Sequence, residues 1–335
     1  MARQATKLSA MNITPAISGA PAIRLIGIWI LATAVSVVGV VVAPIATFVL
    51  MISAFGLPHV LYELRYVDER FSTRTPAAAL QIIGVLLAVI ATARIGNGAH
   101  WISSDVFVPI ELTFGAALAF TAAYFMRANR VLGAVIGTAF ALGAAFQPIP
   151  TFLIWAWLHN LTPMGFVAEI TEGEERRRWL LLLSVPFFVL PALIATGAVH
   201  SLAALIFFNE TLWTSSMFGA GDKPLMSFLP SSSSDLVLFS AAVVAQSMHY
   251  VAVIVLLPQL LAAKQGAPRS TVVPWPSWPV FAAGVAVVAA VAFGIYAVRY
   301  TDARAAYGVA AAIHAWVELP ILLLALGQGF TLARR

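Results

Sequence analysis

The stretch LIGIWILATAVSVVGVVVAPIATFVLMISAFGLPHVL, residues 25–61, decides the fold of this protein. It holds no Asp, Glu, Lys or Arg, and its apolar residues follow one another without the strict alternation of a membrane-barrel strand. A helix needs about 20 apolar residues to cross the hydrocarbon core of a bilayer, so the stretch is long enough for two crossings. Pro44 is the predicted break between them, because proline interrupts the backbone hydrogen bonds of a helix.

The same apolar character extends over the whole chain of 335 residues, of which 61% are hydrophobic and only 10% are charged. The mean hydropathy is +0.92. Soluble domains usually carry about 25% charged residues, so a cytosolic enzyme, a disordered protein and a secreted disulfide scaffold are excluded. The chain has no cysteine, which excludes disulfides, thiolate metal sites and thiol nucleophiles. Its net charge of +5 indicates membrane topology rather than nucleic-acid binding, because the basic residues flank apolar segments.

Ten apolar segments predict an all-α, polytopic membrane helix bundle with about ten transmembrane helices. The segments are 23–43, 45–65, 76–95, 106–126, 131–146, 151–170, 179–207, 235–262, 277–298 and 306–332. Lys and Arg accumulate in cytoplasmic loops. If the N-terminus is cytoplasmic, 15 of the 19 basic residues lie on the cytoplasmic side and 4 lie outside. We therefore expect cytoplasmic N- and C-termini, a tail over 1–22, one membrane domain over 23–332 and a long outer loop over 208–234.

Four of the six histidines are candidates for a functional site, because ionisable residues inside the hydrocarbon region are costly and usually functional. Each of the four lies on an even-numbered segment, so their helices are predicted to cross the membrane in the same direction. The candidates are His59, His159, His249 and His314. His100 and His200 are expected to be structural or interfacial.

Two of these histidines are followed, four residues later, by a glutamate: Glu63 follows His59, and Glu318 follows His314. Residues at this spacing share one helix face, so each pair offers an imidazole nitrogen and a carboxylate oxygen to the same side. Helix bundles build metal sites from such donors on facing helices. The four histidines and two glutamates therefore predict a site for one or two metal ions. Iron, manganese, copper and zinc are all compatible, and non-haem iron suits this donor set well.

Residues that adjoin the six candidates are predicted to orient the ligands or to contact a substrate. They are Tyr62, Asn160, Gln246, Tyr250 and Trp316. Other polar residues are weaker candidates. Glu111 lies near the outer end of the fourth segment, and Glu169 and Glu172 are expected to form a solvated rim with the arginines that follow them.

The segment FGLPHVLYE, residues 55–63, resembles an early transmembrane motif of the Brp/Blh family of β-carotene 15,15′-dioxygenases, Gly-(Leu/Ile)-Pro-His-Gly-x-x-Asp. Members of that family are multi-spanning proteins of bacteria and archaea that cleave carotene to retinal with iron and molecular oxygen. The resemblance implies that His59 binds Fe²⁺, that Glu63 takes the place of the family's Asp, and that the protein lies in a bacterial inner membrane. Val60 replaces a glycine of the motif, and Val253 stands where the family has a second histidine of a pair.

Together these features predict a membrane-embedded non-haem iron oxygenase that acts on a lipid-soluble polyene or isoprenoid. Its other partners are molecular oxygen and the lipid bilayer, with no role for nucleic acid. A proton-coupled transporter or channel is an alternative, because His and Glu in membrane helices form proton relays. A haem b electron-transfer subunit is a second alternative, and a structural role for the His/Glu pairs is a third.

Overall fold

A computed structural model describes residues 20–198, 233–264 and 271–327. Within these ranges the chain is helical and contains no β-strand. In chain order the helices are α1 (Ala20–Val42), α2 (Pro44–Phe71), α3 (Ala77–Gly98), α4 (Ser104–Phe125), α5 (Arg130–Phe146), α6 (Pro148–His159), α7 (Thr162–Ile170), α8 (Gly173–Ser184), α9 (Leu190–Ala195), α10 (Ser233–Val251), α11 (Leu257–Lys264), α12 (Trp278–Val298) and α13 (Tyr300–Gly327). A single π-helical turn joins α8 to α9 at Val185–Val189, and another joins α10 to α11 at Ala252–Leu256.

Eight helical segments of the described ranges are long and apolar enough to cross a membrane. They are α1, α2, α3, α4, the continuous pair α8–α9, the continuous pair α10–α11, α12 and α13. The prediction of an all-α, polytopic membrane bundle is therefore confirmed. The predicted fifth segment is the 17-residue helix α5, and the predicted sixth is divided into α6 and α7. The count of ten crossings stays a prediction. The two termini, His200 and most of the loop 208–234 lie outside the described residues.

The division between α6 and α7 follows from one proline. Pro163 has no backbone N–H with which to bond the carbonyl oxygen of His159, so a regular helical hydrogen bond is missing where the chain changes from α6 to α7. The hydroxyl of Thr162 donates to that carbonyl oxygen instead, at 2.8 Å. His159 is therefore the last residue of α6, and its side chain is held at a helix end in the middle of the predicted sixth segment.

Two large groups of buried side chains form the core. One group lies between α1, α2, α7, α8–α9, α10–α11 and α13. The other lies between α3, α4, α5, α6 and α13. Helix α13 contributes to both groups, so it runs between the two halves of the bundle. Its residues His314 and Glu318 are accordingly at the centre of the protein.

Charged residues at one end of α2 fix it to its neighbours. Arg70 donates two hydrogen bonds to Glu169 of α7, each at 2.8 Å, and Arg74 donates a third at 3.1 Å. The expectation of a solvated rim is therefore wrong for Glu169, whose side chain is only 13% exposed because it bridges two helices. Glu172 is exposed as expected. Nearby, the carboxylate of Asp68 accepts hydrogen bonds from the chain segment that leads into α12.

Close packing in the second core group depends on a glycine, Gly115 of α4. Trp316 is fully buried between Trp155, with ring centroids 4.7 Å apart, and Phe140, with centroids 5.2 Å apart. The other side of the indole lies directly against Gly115 of α4, where an added Cβ would overlap with the ring. Because stacked neighbours hold the indole, it has no room to move away.

We expect Gly115→Ala to lower the apparent unfolding temperature of the detergent-solubilised protein, because overpacking of this kind costs about 1–3 kcal/mol. Gly84→Ala in α3 is the matched control, since nothing lies within 4 Å of its added methyl group. The control should be neutral or slightly stabilising, because glycine is unfavourable in a helix interior. Thermal unfolding followed by intrinsic fluorescence checks both variants, and equal midpoints would contradict the contact.

Candidate metal centre

The structure brings all six predicted ligands into one buried cluster. It comprises His59 and Glu63 of α2, His159 at the end of α6, His249 of α10, and His314 and Glu318 of α13. Neighbouring imidazole centroids are 4.7–5.3 Å apart. Both carboxylates are fully buried, and three of the histidines are at most 2% exposed. Four helices that are distant in the sequence therefore meet at one point inside the bundle.

Backbone carbonyl groups orient three of the imidazole rings. In His59 and in His314, Nδ1 lies 3.2 and 3.4 Å from the carbonyl oxygen four residues earlier in the same helix. In His249, Nδ1 lies 3.4 Å from the carbonyl oxygen of Asn160. A carbonyl oxygen can only accept, so these contacts place the ring proton on Nδ1 and leave a lone pair on Nε2. Metal-binding histidines are usually oriented by such hydrogen bonds.

The Nε2 atoms of His59 and His314 are 3.0 Å apart. With both rings protonated at Nδ1, two lone pairs face each other at this distance, which is repulsive unless a cation lies between them. A hydrogen bond between the two nitrogens of neutral rings would require one ring to give up its bond to a carbonyl group. Two nitrogens that bind one transition-metal ion at about 2.1 Å and at right angles are about 3.0 Å apart. The observed spacing therefore fits a shared metal ion.

The two carboxylates have the same need for a cation. None of their oxygens has a hydrogen-bond partner among the described residues. Oε2 of Glu63 is 3.4 Å from Nε2 of His249, and Oε2 of Glu318 is 2.8 Å from Nδ1 of His159, but neither contact has hydrogen-bond geometry. A buried carboxylate without compensation is strongly destabilising. Metal coordination would satisfy both.

The donor atoms form two overlapping groups, in each of which all atoms lie within 4.8 Å of one another. One group is His59, Glu63, His249 and His314, and the other is His159, His314 and Glu318. Two carboxylates neutralise one divalent cation, whereas two such ions would require further anionic ligands. The geometry and charge thus fit one divalent ion directly and a second ion with additional ligands.

A cavity of about 550 Å³ lies on one side of this cluster. Most of its wall comes from residues that precede the histidines in α2, α6, α10 and α13, together with parts of α3 and α4, and these residues are mostly apolar. His59, His159 and His314 line the cavity, whereas the two glutamates do not. Since most of the wall precedes the histidine in each of the four helices, these helices approach the cluster from the same side, in agreement with the predicted common direction.

Two leucines of the cavity wall reach the protein surface. Leu153 of α6 and Leu238 of α10 both line the cavity, and they are 61% and 59% exposed. In a membrane-spanning bundle such side chains face lipid rather than water.

Four of the five predicted neighbours lie at the site. Asn160, Gln246, Tyr250 and Trp316 all line the cavity, and the ring of Tyr250 stacks on that of His59 with centroids 4.0 Å apart. Tyr62 is different, because the structure does not bring it to the cluster. Its ring packs against Trp278 and Phe281 of α12 instead.

Sequence reasoning missed an ion pair in the cavity wall. Arg94 of α3 donates to both oxygens of Glu111 of α4, at 2.6 and 2.9 Å, and the indole N–H of Trp316 donates to the same carboxylate at 2.7 Å. The opposite charges of Arg94 and Glu111, which lie on neighbouring apolar segments, could have suggested this ion pair. Tyr307 was missed too. It lies seven residues before His314, which is two turns earlier on the same helix face.

No protein-family model matches the chain, and no curated protein and no solved structure matches it at a significant level. The resemblance of residues 55–63 to the Brp/Blh family therefore stays a prediction. The function has to be argued from the geometry of the cluster and its cavity.

We expect Arg94→Gln to lower the free energy of unfolding by about 3 kcal/mol, because it leaves Glu111, which is 1% exposed, as an uncompensated buried charge. The matched control is Arg299→Gln, which removes an ion pair with Asp302 whose side chains are 72% and 61% exposed. Such surface pairs contribute less than about 1 kcal/mol. Denaturant unfolding in detergent measures both variants, and a similar loss in the two would contradict the buried role of Glu111.

Proposed function

We propose that this protein is a membrane-embedded non-haem iron oxygenase that acts on an apolar polyene or isoprenoid. The observation that carries the proposal is the convergence of four imidazoles and two carboxylates in one cluster beside a mostly apolar cavity. A mixed imidazole and carboxylate donor set in a chain without thiolates suits non-haem iron. The proposal treats the six residues of the cluster as the metal ligands or their immediate partners.

The chain's own residues would have distinct tasks in such an enzyme. His59, His249 and His314 would hold the ion through Nε2, while carbonyl groups fix their rings by accepting from Nδ1. Glu63, Glu318 and His159 would complete the ligand set and balance its charge. Iron, when bound, supplies the activation of molecular oxygen. The aromatic wall around Trp155 and Trp316 would exclude water from the reaction.

The cavity supports an apolar substrate. Its volume of about 550 Å³ lies in the range of about 300–1,000 Å³ that is typical of small-molecule sites. An opening beside the exposed leucines Leu153 and Leu238 would admit a molecule directly from the bilayer. Polyenes and isoprenoids dissolve in lipid, and molecular oxygen partitions into it as well. Both reactants of the proposed reaction are thus available at the opening.

Residues 55–63 support one specific reaction, the oxidative cleavage of β-carotene. This reaction consumes one molecule of oxygen, breaks the central double bond and yields two molecules of retinal. The proposal of a carotenoid rests on that nine-residue resemblance alone. A haem b subunit is less compatible with the geometry. Paired axial histidines have a macrocycle between them, whereas the rings of His59 and His314 are in direct contact.

We expect protein purified from iron-replete cells to contain about one or two iron ions per chain, as the two overlapping donor groups allow. His59→Ala and His314→Ala should each reduce the iron content at least about tenfold. His100→Asn is the control, because His100 is exposed and has a left-handed backbone, with a φ of 59°, that asparagine tolerates. Elemental analysis by mass spectrometry is the measurement. Wild-type protein without a transition metal, or iron retained in both alanine variants, would falsify the metal site.

We also expect the iron-loaded protein in detergent to consume oxygen when β-carotene is added and to release retinal. Glu63→Gln should reduce the rate at least about tenfold, because it removes a charged ligand while keeping the side-chain volume. Glu174→Gln is the control, since Glu174 is 54% exposed on α8. An oxygen electrode and chromatography of the products provide the readout. If carotenoids and shorter isoprenoids all fail to stimulate oxygen uptake, the oxygenase proposal is wrong, and proton-coupled transport in liposomes becomes the next assay.

A further inference from the structure

A chain of three polar side chains crosses the cavity wall beside His59. The amide nitrogen of Gln246 donates to the hydroxyl of Tyr250 at 2.6 Å, and the hydroxyls of Tyr250 and Tyr307 are 3.0 Å apart. All three residues line the cavity. None of them belongs to the six predicted ligands, so the metal centre alone does not explain why they are there.

The protons of this chain do not all have acceptors. Gln246 supplies the proton of the first hydrogen bond, so the two phenols use only one of their two hydroxyl protons in bonding each other. Whichever tyrosine donates, one hydroxyl proton is left over. No other residue in the described ranges accepts it. A hydroxyl donor that is buried in an apolar wall is unfavourable without an acceptor, so an acceptor from outside the chain is expected.

The two hydroxyls are held in a fixed position next to the metal centre. The ring of Tyr250 stacks on that of His59, and the ring of Tyr307 lies edge-on to it with centroids 6.4 Å apart. Gly56 lets Tyr307 approach α2, since a Cβ there would lie only 3.0 Å from the tyrosine ring. The unused proton is therefore presented at the end of the cavity where His59 lies.

We propose that Tyr250 and Tyr307 form an oxygen-recognition site, which donates a hydrogen bond to a hydroxyl or carbonyl oxygen of an apolar ligand. The ligand class is a lipid-soluble molecule with one oxygen atom at the end that reaches the His/Glu cluster. The site would hold a carbonyl product of oxidative cleavage, or an oxygenated polyene, more tightly than a pure hydrocarbon. The inference rests on the proposed function only in requiring that the cavity takes an apolar ligand.

The test compares two probes that share a carbon skeleton: retinol, and axerophthene, in which a methyl group replaces the hydroxymethyl group. Quenching of tryptophan fluorescence reports binding, because Trp155 and Trp316 line the cavity. Wild-type protein is expected to bind retinol about two- to tenfold more tightly than axerophthene, because one additional hydrogen bond strengthens binding by about this factor. In the double variant Tyr250→Phe/Tyr307→Phe, which has no hydroxyl on either ring, the preference should fall to nearly one, with the affinity for axerophthene unchanged.

Tyr296→Phe is the matched control, because Tyr296 is a buried tyrosine that does not line the cavity, and it should keep the preference. If the double variant also loses axerophthene binding, its packing is disturbed, and Tyr250→Leu/Tyr307→Phe decides by the same ratio. The inference is overturned if wild-type protein shows no preference, if it binds neither probe, or if the double variant keeps the preference. The first result is also expected if the amide of Gln246 is turned so that its oxygen accepts from Tyr250, which would use both phenol protons.

These results separate the inference from the proposed function. A protein without iron or oxygen uptake that still prefers retinol, and loses this preference in the double variant Tyr250→Phe/Tyr307→Phe, would retain the oxygen-recognition site and refute the oxygenase. A protein that contains iron and consumes oxygen but binds the two probes equally would retain the oxygenase proposal and refute the oxygen-recognition site.

Discussion

The burial of two carboxylates at the centre of a membrane bundle is the constraint on which this structure depends. Glu63 and Glu318 are fully buried, and no hydrogen-bond donor among the described residues satisfies their oxygens. In a low-dielectric interior such groups are strongly destabilising unless a cation or a bound proton neutralises them. The groups around them are imidazoles from four helices, and three of these rings have Nδ1 next to a backbone carbonyl oxygen, which leaves their Nε2 atoms as acceptors. A bound metal ion would compensate the carboxylates and the imidazole lone pairs together, at the point where α2, α6, α10 and α13 converge.

The backbone is irregular near each of the four histidines, and the irregularities orient the ligands. Pro58 precedes His59 within α2, the chain breaks directly after His159, and a π-helical turn follows His249 at Ala252–Leu256. In α13, Pro320 lies two residues after Glu318. Carbonyl groups inside a membrane protein must find donors within the protein. The hydroxyl of Thr162 supplies such a donor to the carbonyl oxygen of His159, which Pro163 leaves without an N–H partner, so this interruption becomes a hydrogen bond beside the cluster.

The cavity separates two kinds of polar group. The carboxylates lie on the side of the imidazoles that is turned away from the cavity, and they face the predicted ion. On the near side, Arg94 and Glu111 neutralise each other within the wall. The tyrosine pair is the uncharged polar feature beside His59. A cavity with this distribution favours a ligand that is apolar over most of its length and polar at one end, which agrees with a lipid-soluble substrate that gains oxygen at the metal centre.

The membrane class, the helical fold and the six cluster residues follow from the sequence, because hydrophobic length and the i,i+4 spacing of His and Glu are local properties of the chain. Pro163 also marks in the sequence the point where the predicted sixth segment is divided, although the residues on both sides of it are apolar enough to be counted as one segment. The contact of Tyr307 with Tyr250, the pairing of Arg94 with Glu111, and the packing of Tyr62 away from the site needed the tertiary structure. These contacts depend on how far each helix is rotated about its own axis. Helices that are apolar on all sides carry no amphipathic pattern that specifies this rotation, so only the packing of the whole bundle decides which side chains meet.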